Sequence, residues 1–280
     1  MDEKNQSLRS VVNASGFLLQ LRIEKELEAT RGSHKWRVVA REHHWANPES
    51  GTDGYIDLIL SNDAGNGRLV IECKRSLDTS WVFLVPRDSS QTETTRCFWT
   101  SGHAKNAEIM MGWDDLVVHP KSLEAAFCVV RGQCDKDKPM LERVAGILLD
   151  SVESLGVEGL QIANQSEFPT AIVYLPAIVT TAALQICRFE PGDINIATGQ
   201  LSNPHFEPVD IVRFRKGFST RFHTRQLPRD LTGANRENER SVFVIGASHL
   251  ATVLETLDIE LLGEWPWKAA RNRANLKPST

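Results

Sequence analysis

The hydrophobic positions of this chain change period along its length, and the changes mark out its elements. Between residues 8 and 29, Leu8, Val11, Val12, Leu18, Leu19, Ile23 and Leu27 recur at spacings of three and four among good helix formers. That spacing predicts an amphipathic helix, with Gly32 as its stop. Three strand-like runs follow. Residues 35–45 are rich in β-branched and aromatic side chains, 55–60 are apolar apart from Asp57, and 68–75 come after the turn-forming Ser61-Asn62-Asp63-Ala64-Gly65-Asn66-Gly67. The second and third runs therefore form a hairpin. Residues 81–113 mix apolar Trp81-Val82-Phe83-Leu84 and Cys97-Phe98-Trp99 with a polar loop at 89–95, and fit no single period. Residues 125–130 read as a buried strand. Residues 139–155 read as a helix with Met140, Val144, Ile147, Leu148 and Val152 on one face. A strongly apolar strand at 171–179 is cut by Pro176, which suggests an end or a bulge there. Strand-like 184–188, 209–214 and 242–245 and a helix at 247–257 complete the chain. The order helix, three strands, irregular segment, strand, helix, strand is an α/β layout.

Composition narrows the picture. The chain has 280 residues, 41% of them hydrophobic, which is ample for a core and excludes a disordered charged tail. Its formal net charge of -4 means bulk electrostatics would not draw it to a polyanion, so such a partner would need locally gathered basic residues. No apolar run approaches membrane-spanning length, and residues 1–9 are polar and mixed in charge, unlike a signal peptide. Five scattered cysteines, none in a Cys-x-x-Cys pair, suit a reducing compartment, so a cytoplasmic protein with no membrane partner is expected.

Candidate chemistry starts at Leu69-Val70-Ile71-Glu72-Cys73-Lys74. In a strand Val70, Glu72 and Lys74 share one face, and opposite charges on a core strand are costly unless they are paired or employed. Asp57 poses the same problem on the partner strand, and the seven-residue turn can bring Asp57, Glu72 and Lys74 to one spot. Two carboxylates in close range suit a hard cation such as Mg²⁺, with the backbone carbonyl of Cys73 as a further oxygen ligand. A lysine beside that ion can orient or help deprotonate a water and offset charge on a phosphate. A Glu-x-Lys triplet alone arises by chance about once in such a chain, so its strand setting carries the weight. The competing reading is a buried ion-pair cluster with no catalytic role.

Asp57, the sequence Glu72-Cys73-Lys74 fifteen residues on, and the amphipathic N-terminal helix together resemble the PD-(D/E)xK nuclease superfamily. Gly16-Phe17-Leu18-Leu19-Gln20, Tyr55-Ile56-Asp57, Ile71-Glu72-Cys73-Lys74-Arg75-Ser76 and Trp81-Val82-Phe83 look like an uncharacterised bacterial branch of it. The resemblance covers about residues 8–130. It implies a restriction-endonuclease-like α/β core over residues 1–180, with a C-terminal mixed α/β extension over 181–280 packed on it. It also implies that Asp57 and Glu72 bind Mg²⁺ (or Mn²⁺) and that Lys74 activates water, giving a metal-dependent nuclease that cuts DNA, with RNA as an alternative substrate. Defence against foreign DNA is a role implied by the resemblance alone, and a homodimer is a corollary of cutting both strands. Ile56 stands where a proline often precedes the motif Asp. Gln20 stands where the first helix usually supplies an acid, and Glu24, one turn on, is either a substitute for it or an ordinary solvated helix residue. The rival function is a nuclease-derived nucleic-acid-binding or interaction module that has lost full metal affinity through Gln20.

A second feature reverses the sign of the charge. Arg213, Arg215, Lys216, Arg221, Arg225 and Arg229, interleaved with Phe214, Phe218 and Phe222, meet no acid before Asp230. They could track a phosphate backbone, with Phe stacking on bases; alternatively they form a solvated face whose Phe residues fill the core. Arg37, Arg41 and Arg75 offer further positive charge. His43 and His44 are adjacent and should point to opposite faces, Asp114-Asp115 reads as a helix start or loop pair, and there is no phosphate-cradling Gly-rich loop.

Overall fold

In the computed structural model the described residues are 3–76, 79–103, 108–132, 139–163, 170–219 and 230–260. The long N-terminal periodic segment is two helices, α1 (Glu3–Ala14) and α2 (Phe17–Ala29). They divide at Ser15, whose hydroxyl donates to the Val12 carbonyl, and at Gly16, where α2 starts. There follow β1 (Trp36–Asn47), β2 (Thr52–Asn62), β3 (Gly67–Lys74), β4 (Ser80–Pro86), β5 (Thr92–His103), β6 (Glu108–Ala125) and β7 (Phe127–Val130). The chain continues with α3 (Met140–Ala163), β8 (Thr170–Thr180), β9 (Ala183–Phe189), β10 (His205–Pro208) and β11 (Ile211–Gly217). It ends with α4 (Leu231–Asn238), β12 (Glu239–Gly246), α5 (Leu250–Thr256) and β13 (Asp258–Glu260).

These strands make a large mixed sheet and a small one. β1, β2 and β3 are antiparallel neighbours, and β3 runs parallel to β8 along its whole length. Val70 packs in one apolar cluster and Leu69 and Ile71 in the other, so both faces of β3 are covered and all three are fully buried, a continuous apolar run instead of an alternating one. The segment that fitted no single period is mostly strand: β5 and β6 form a long antiparallel hairpin, and Asp114-Asp115 lie within β6. β8 pairs with β5 through Thr170–Tyr174 and with β12 through Ala177–Thr180. Pro176, which has no N–H to give a ladder, falls between the two pairings. β11 joins β12 to β6, so β8, β5, β6, β11 and β12 close into a ring of five strands. Residue 180 therefore lies inside one hydrogen-bonded layer, Thr180 pairing with both Lys74 and Gly246. The small sheet has the order β10-β9-β4-β7. The apolar run at 125–130 is split between the end of β6 and β7, and Phe127 and Val129 of β7 are exposed.

Two apolar clusters cover the two faces of the large sheet. One gathers Leu141, Leu148 and Val152 of α3 with Trp81 and Phe83 of the small sheet; the other gathers Ile23 and Leu27 of α2 with Val253 and Leu254 of α5. α3 runs eight residues beyond its expected end at 155. It lies flush on the sheet because Gly156 and Gly159 face Phe98 and Tyr174, where a Cβ would collide with the Phe98 ring and the Tyr174 hydroxyl. Among the described residues, no helix is long and apolar enough to cross a membrane.

Candidate functional site

The pairing of β2 with β3 ends at Leu58 opposite Ile71. The ladder stops one step short of Asp57 and Glu72, and Ile56 and Leu58, two residues apart, pack in opposite apolar clusters, so the alternation of β2 breaks at Asp57. The backbone ladder is replaced there by a side chain: Asp57 Oδ2 accepts the Cys73 N–H at 2.6 Å. Two residues along β3, and so on the same face, Lys74 Nζ stands 2.6 Å from Glu72 Oε1. Both side chains are partly open to solvent, at 36% and 20% exposure. The structure thus brings together Asp57, Glu72 and Lys74.

The electrostatics are those of crowded acids. Burial first, and then the charge of Glu72, push the Asp57 carboxyl up from 3.8 to about 6, while the Cys73 N–H and Lys74 pull the other way. Cys73 meets Asp57 through both its backbone N–H and its thiol. Its thiol packs in the opposite apolar cluster, where burial and the nearby carboxylates hold it protonated.

Gln20 reaches the same spot from α2. It is buried, and its Nε2 donates to the Asp57 backbone carbonyl at 3.0 Å, so it steadies the strand bearing the acid. Glu24 is placed otherwise: its carboxylate pairs with Arg41 of β1. Among the described residues, no three His, Cys, Asp or Glu side chains converge as a metal-ligating group.

Sequence reasoning passed over Glu42. Arg41 pairs with Leu58 and His43 with Ile56, which sets Glu42 across β1 from Asp57, and its charge adds to the upward push on that carboxyl. Its φ of 46° is left-handed, a conformation a Glu adopts at a cost of about 1–3 kcal/mol. The sequence carries no signal for it, since a Glu in a polar stretch of strand looks solvated. His43 and His44 do point apart, to Glu158 and Asp53 respectively.

The basic run is largely internal. Arg213 is fully buried: Nε donates to Thr95 Oγ1 (2.9 Å), Nη1 to Ser122 Oγ (2.6 Å) and Nη2 to the Val118 and Pro120 carbonyls, with the guanidinium over the Phe243 ring. It has no surface to offer a phosphate, a correction to the sequence expectation, and it fixes the β5–β6 hairpin to β11. Arg215 bonds Glu239 at 2.8 Å and stands 3.2 Å from Asp115, and Lys216 bonds Glu142 at 2.7 Å, so their charges are met within the protein. Arg221, Arg225 and Arg229 lie outside the described residues.

No family model, no curated protein and no solved structure matches this chain.

Proposed function

We propose that the protein is a Mg²⁺-dependent (or Mn²⁺-dependent) nuclease that hydrolyses phosphodiester bonds of DNA. One observation carries the reading: the charges of Glu72 and Lys74 both reach the Asp57 carboxyl between β2 and β3, and Lys74 is bonded to Glu72. The surrounding order supports it. With β4 to β7 inserted between β3 and α3, the elements α2, β1, β2, β3, α3 and β8 keep the helix, three strands, helix, strand order of the resemblance, with β1–β2–β3 antiparallel and β3 parallel to β8.

The residues fit a hard divalent cation. Two crowded carboxylates, one of them pushed up towards neutrality, hold negative charge that a cation would relieve. Glu72 keeps a second oxygen with no hydrogen-bond partner among the described residues. Asp57 and Glu72 would hold the ion, and when bound it supplies Lewis-acid activation at the phosphate. Lys74 is placed to orient an attacking water and to offset negative charge developing on the phosphoryl oxygens. Gln20, by steadying the Asp57 backbone, is a positioning residue.

A second reading is favoured by one observation, the neutral Gln20 at the site with Glu24 drawn off to Arg41. It makes the chain a nuclease-derived nucleic-acid-binding module of weak metal affinity. Metal-dependent cleavage of duplex and single-stranded DNA by the purified chain, lost in Asp57→Asn and Lys74→Ala, decides between them. DNA binding that needs no metal and survives both substitutions supports the module.

A further inference from the structure

With Arg213 buried and Arg215 and Lys216 ion-paired, the question is which cations are open to a polyanion near Lys74. Arg75, the residue after Lys74, lines a pocket of about 410 Å³ together with Gln6, Arg9, Ser10, Asn13 and Ala14 of α1. Positions 6, 9, 10 and 13 follow one helix face, so α1 turns a polar face towards the end of β3. Its apolar stripe, Leu8, Val11 and Val12, is exposed instead. Burial of apolar surface is thus not what directs this face of α1 towards Arg75.

The chemistry of the pocket is that of an anion site. Among the described residues its wall holds Arg9 and Arg75 and the side-chain donors Gln6, Ser10 and Asn13, and no carboxylate. Among the described residues neither Arg9 nor Arg75 has a carboxylate within 4.0 Å; Arg37, Arg68, Arg131, Arg143 and Arg236 share that lack, but of these arginines only Arg9 and Arg75 line this pocket. Two unpaired guanidiniums converging on one cavity suit a phosphate, whose oxygens accept several charge-assisted hydrogen bonds.

We propose that the pocket between α1 and the end of β3, built on Arg9 and Arg75, binds a backbone phosphate of the nucleic-acid strand next to the one presented to Lys74. The placement rests on the nuclease reading, but the phosphate site can be tested without it. The site would supply the local positive charge that a chain of net charge -4 needs to hold a polyanion.

The test is binding of a fluorescein-labelled DNA duplex to the full chain in EDTA, followed by anisotropy across a salt series. The proteins are the wild type, an Arg9→Gln/Arg75→Gln double variant and an Arg87→Gln control. Losing two phosphate contacts should lower the slope of log affinity against log salt by about 1.8 and weaken binding at least about tenfold near physiological salt. The control should match the wild type, and the thermal midpoint of the double variant should stay unchanged. Competition by inorganic phosphate alone at the same concentrations as the duplex would assign the pocket to free phosphate, and would overturn a strand-backbone site. An unchanged slope in the double variant would overturn it too, as would a wild type that binds no DNA. Cleavage is scored separately with Mg²⁺. An Arg-dependent salt slope without cleavage leaves this site standing and removes the nuclease reading, whereas cleavage with no Arg dependence does the reverse.

Discussion

The Asp57 carboxylate accepts the backbone N–H of Cys73 at 2.6 Å, so the side chain that carries the proposed chemistry also closes the last rung between β2 and β3. The two roles separate by substitution. Asn keeps an acceptor oxygen for the Cys73 N–H but loses the charge, whereas Ala leaves that donor unmet. Asp57→Ala should cost about 1–3 kcal/mol in denaturant unfolding, and Asp57→Asn much less, while both abolish metal-dependent cleavage.

Asp57 also gives stability a pH dependence of defined sign. Its folded-state carboxyl lies near 6 against an ordinary 3.8, so the folded state holds the proton more tightly than the unfolded chain does. The contribution of this group therefore favours folding at low pH and is lost as pH rises from about 4 through about 6. Unfolding midpoints across that window should fall less steeply with pH in Asp57→Asn than in the wild type. Added Mg²⁺ should raise the wild-type midpoint more at about pH 7 than at about pH 5, where the proton competes for the carboxylate.

Gln20 meets Asp57 through an amide N–H, which an ionised Glu does not have. Gln20→Glu should lower the thermal midpoint in EDTA by adding another acid to a crowded spot. Mg²⁺ should restore the midpoint more than it raises that of the wild type. Equal responses to Mg²⁺ in the two proteins, read by differential scanning calorimetry, would place residue 20 outside the metal's reach.

Arg213→Met tests the structural role given to that guanidinium. It removes donors to Thr95, Ser122 and the Val118 carbonyl, all buried, and to the partly buried Pro120 carbonyl. Chemical denaturation should show a loss of about 3–5 kcal/mol. The DNA affinity of the folded protein should not change.

What the sequence made legible follows from the range of the interactions. α2, β1, β2, β3, α3 and β8 were readable because each carries its own period or a turn between apolar runs. The charged trio was readable because Asp57 and Glu72 are joined by one hairpin. The β5–β6 hairpin was not, since Thr92–Ala125 mixes polar residues with apolar ones and owes its strand form to distant partners, β8 and β11. The burial of Arg213 was hidden for the same reason: its acceptors Thr95 and Ser122 lie 118 and 91 residues away. The small-scale wiring was equally invisible, because only coordinates reveal that Asp57 Oδ2 takes the Cys73 N–H or that Glu42 turns left-handed beside it.

The most direct test is a side-by-side cleavage assay of the wild type and Lys74→Ala on duplex and single-stranded DNA, with Mg²⁺, with Mn²⁺ and with EDTA. Matching far-UV circular dichroism should first show both proteins folded. Lys74 lies 2.6 Å from Glu72 and closes no backbone rung, so its removal should spare the fold. Products should form only with the wild type and metal, with cleavage by Lys74→Ala at least about a hundredfold slower. Equal cleavage by both proteins, or none by a folded, metal-supplied wild type, would contradict it.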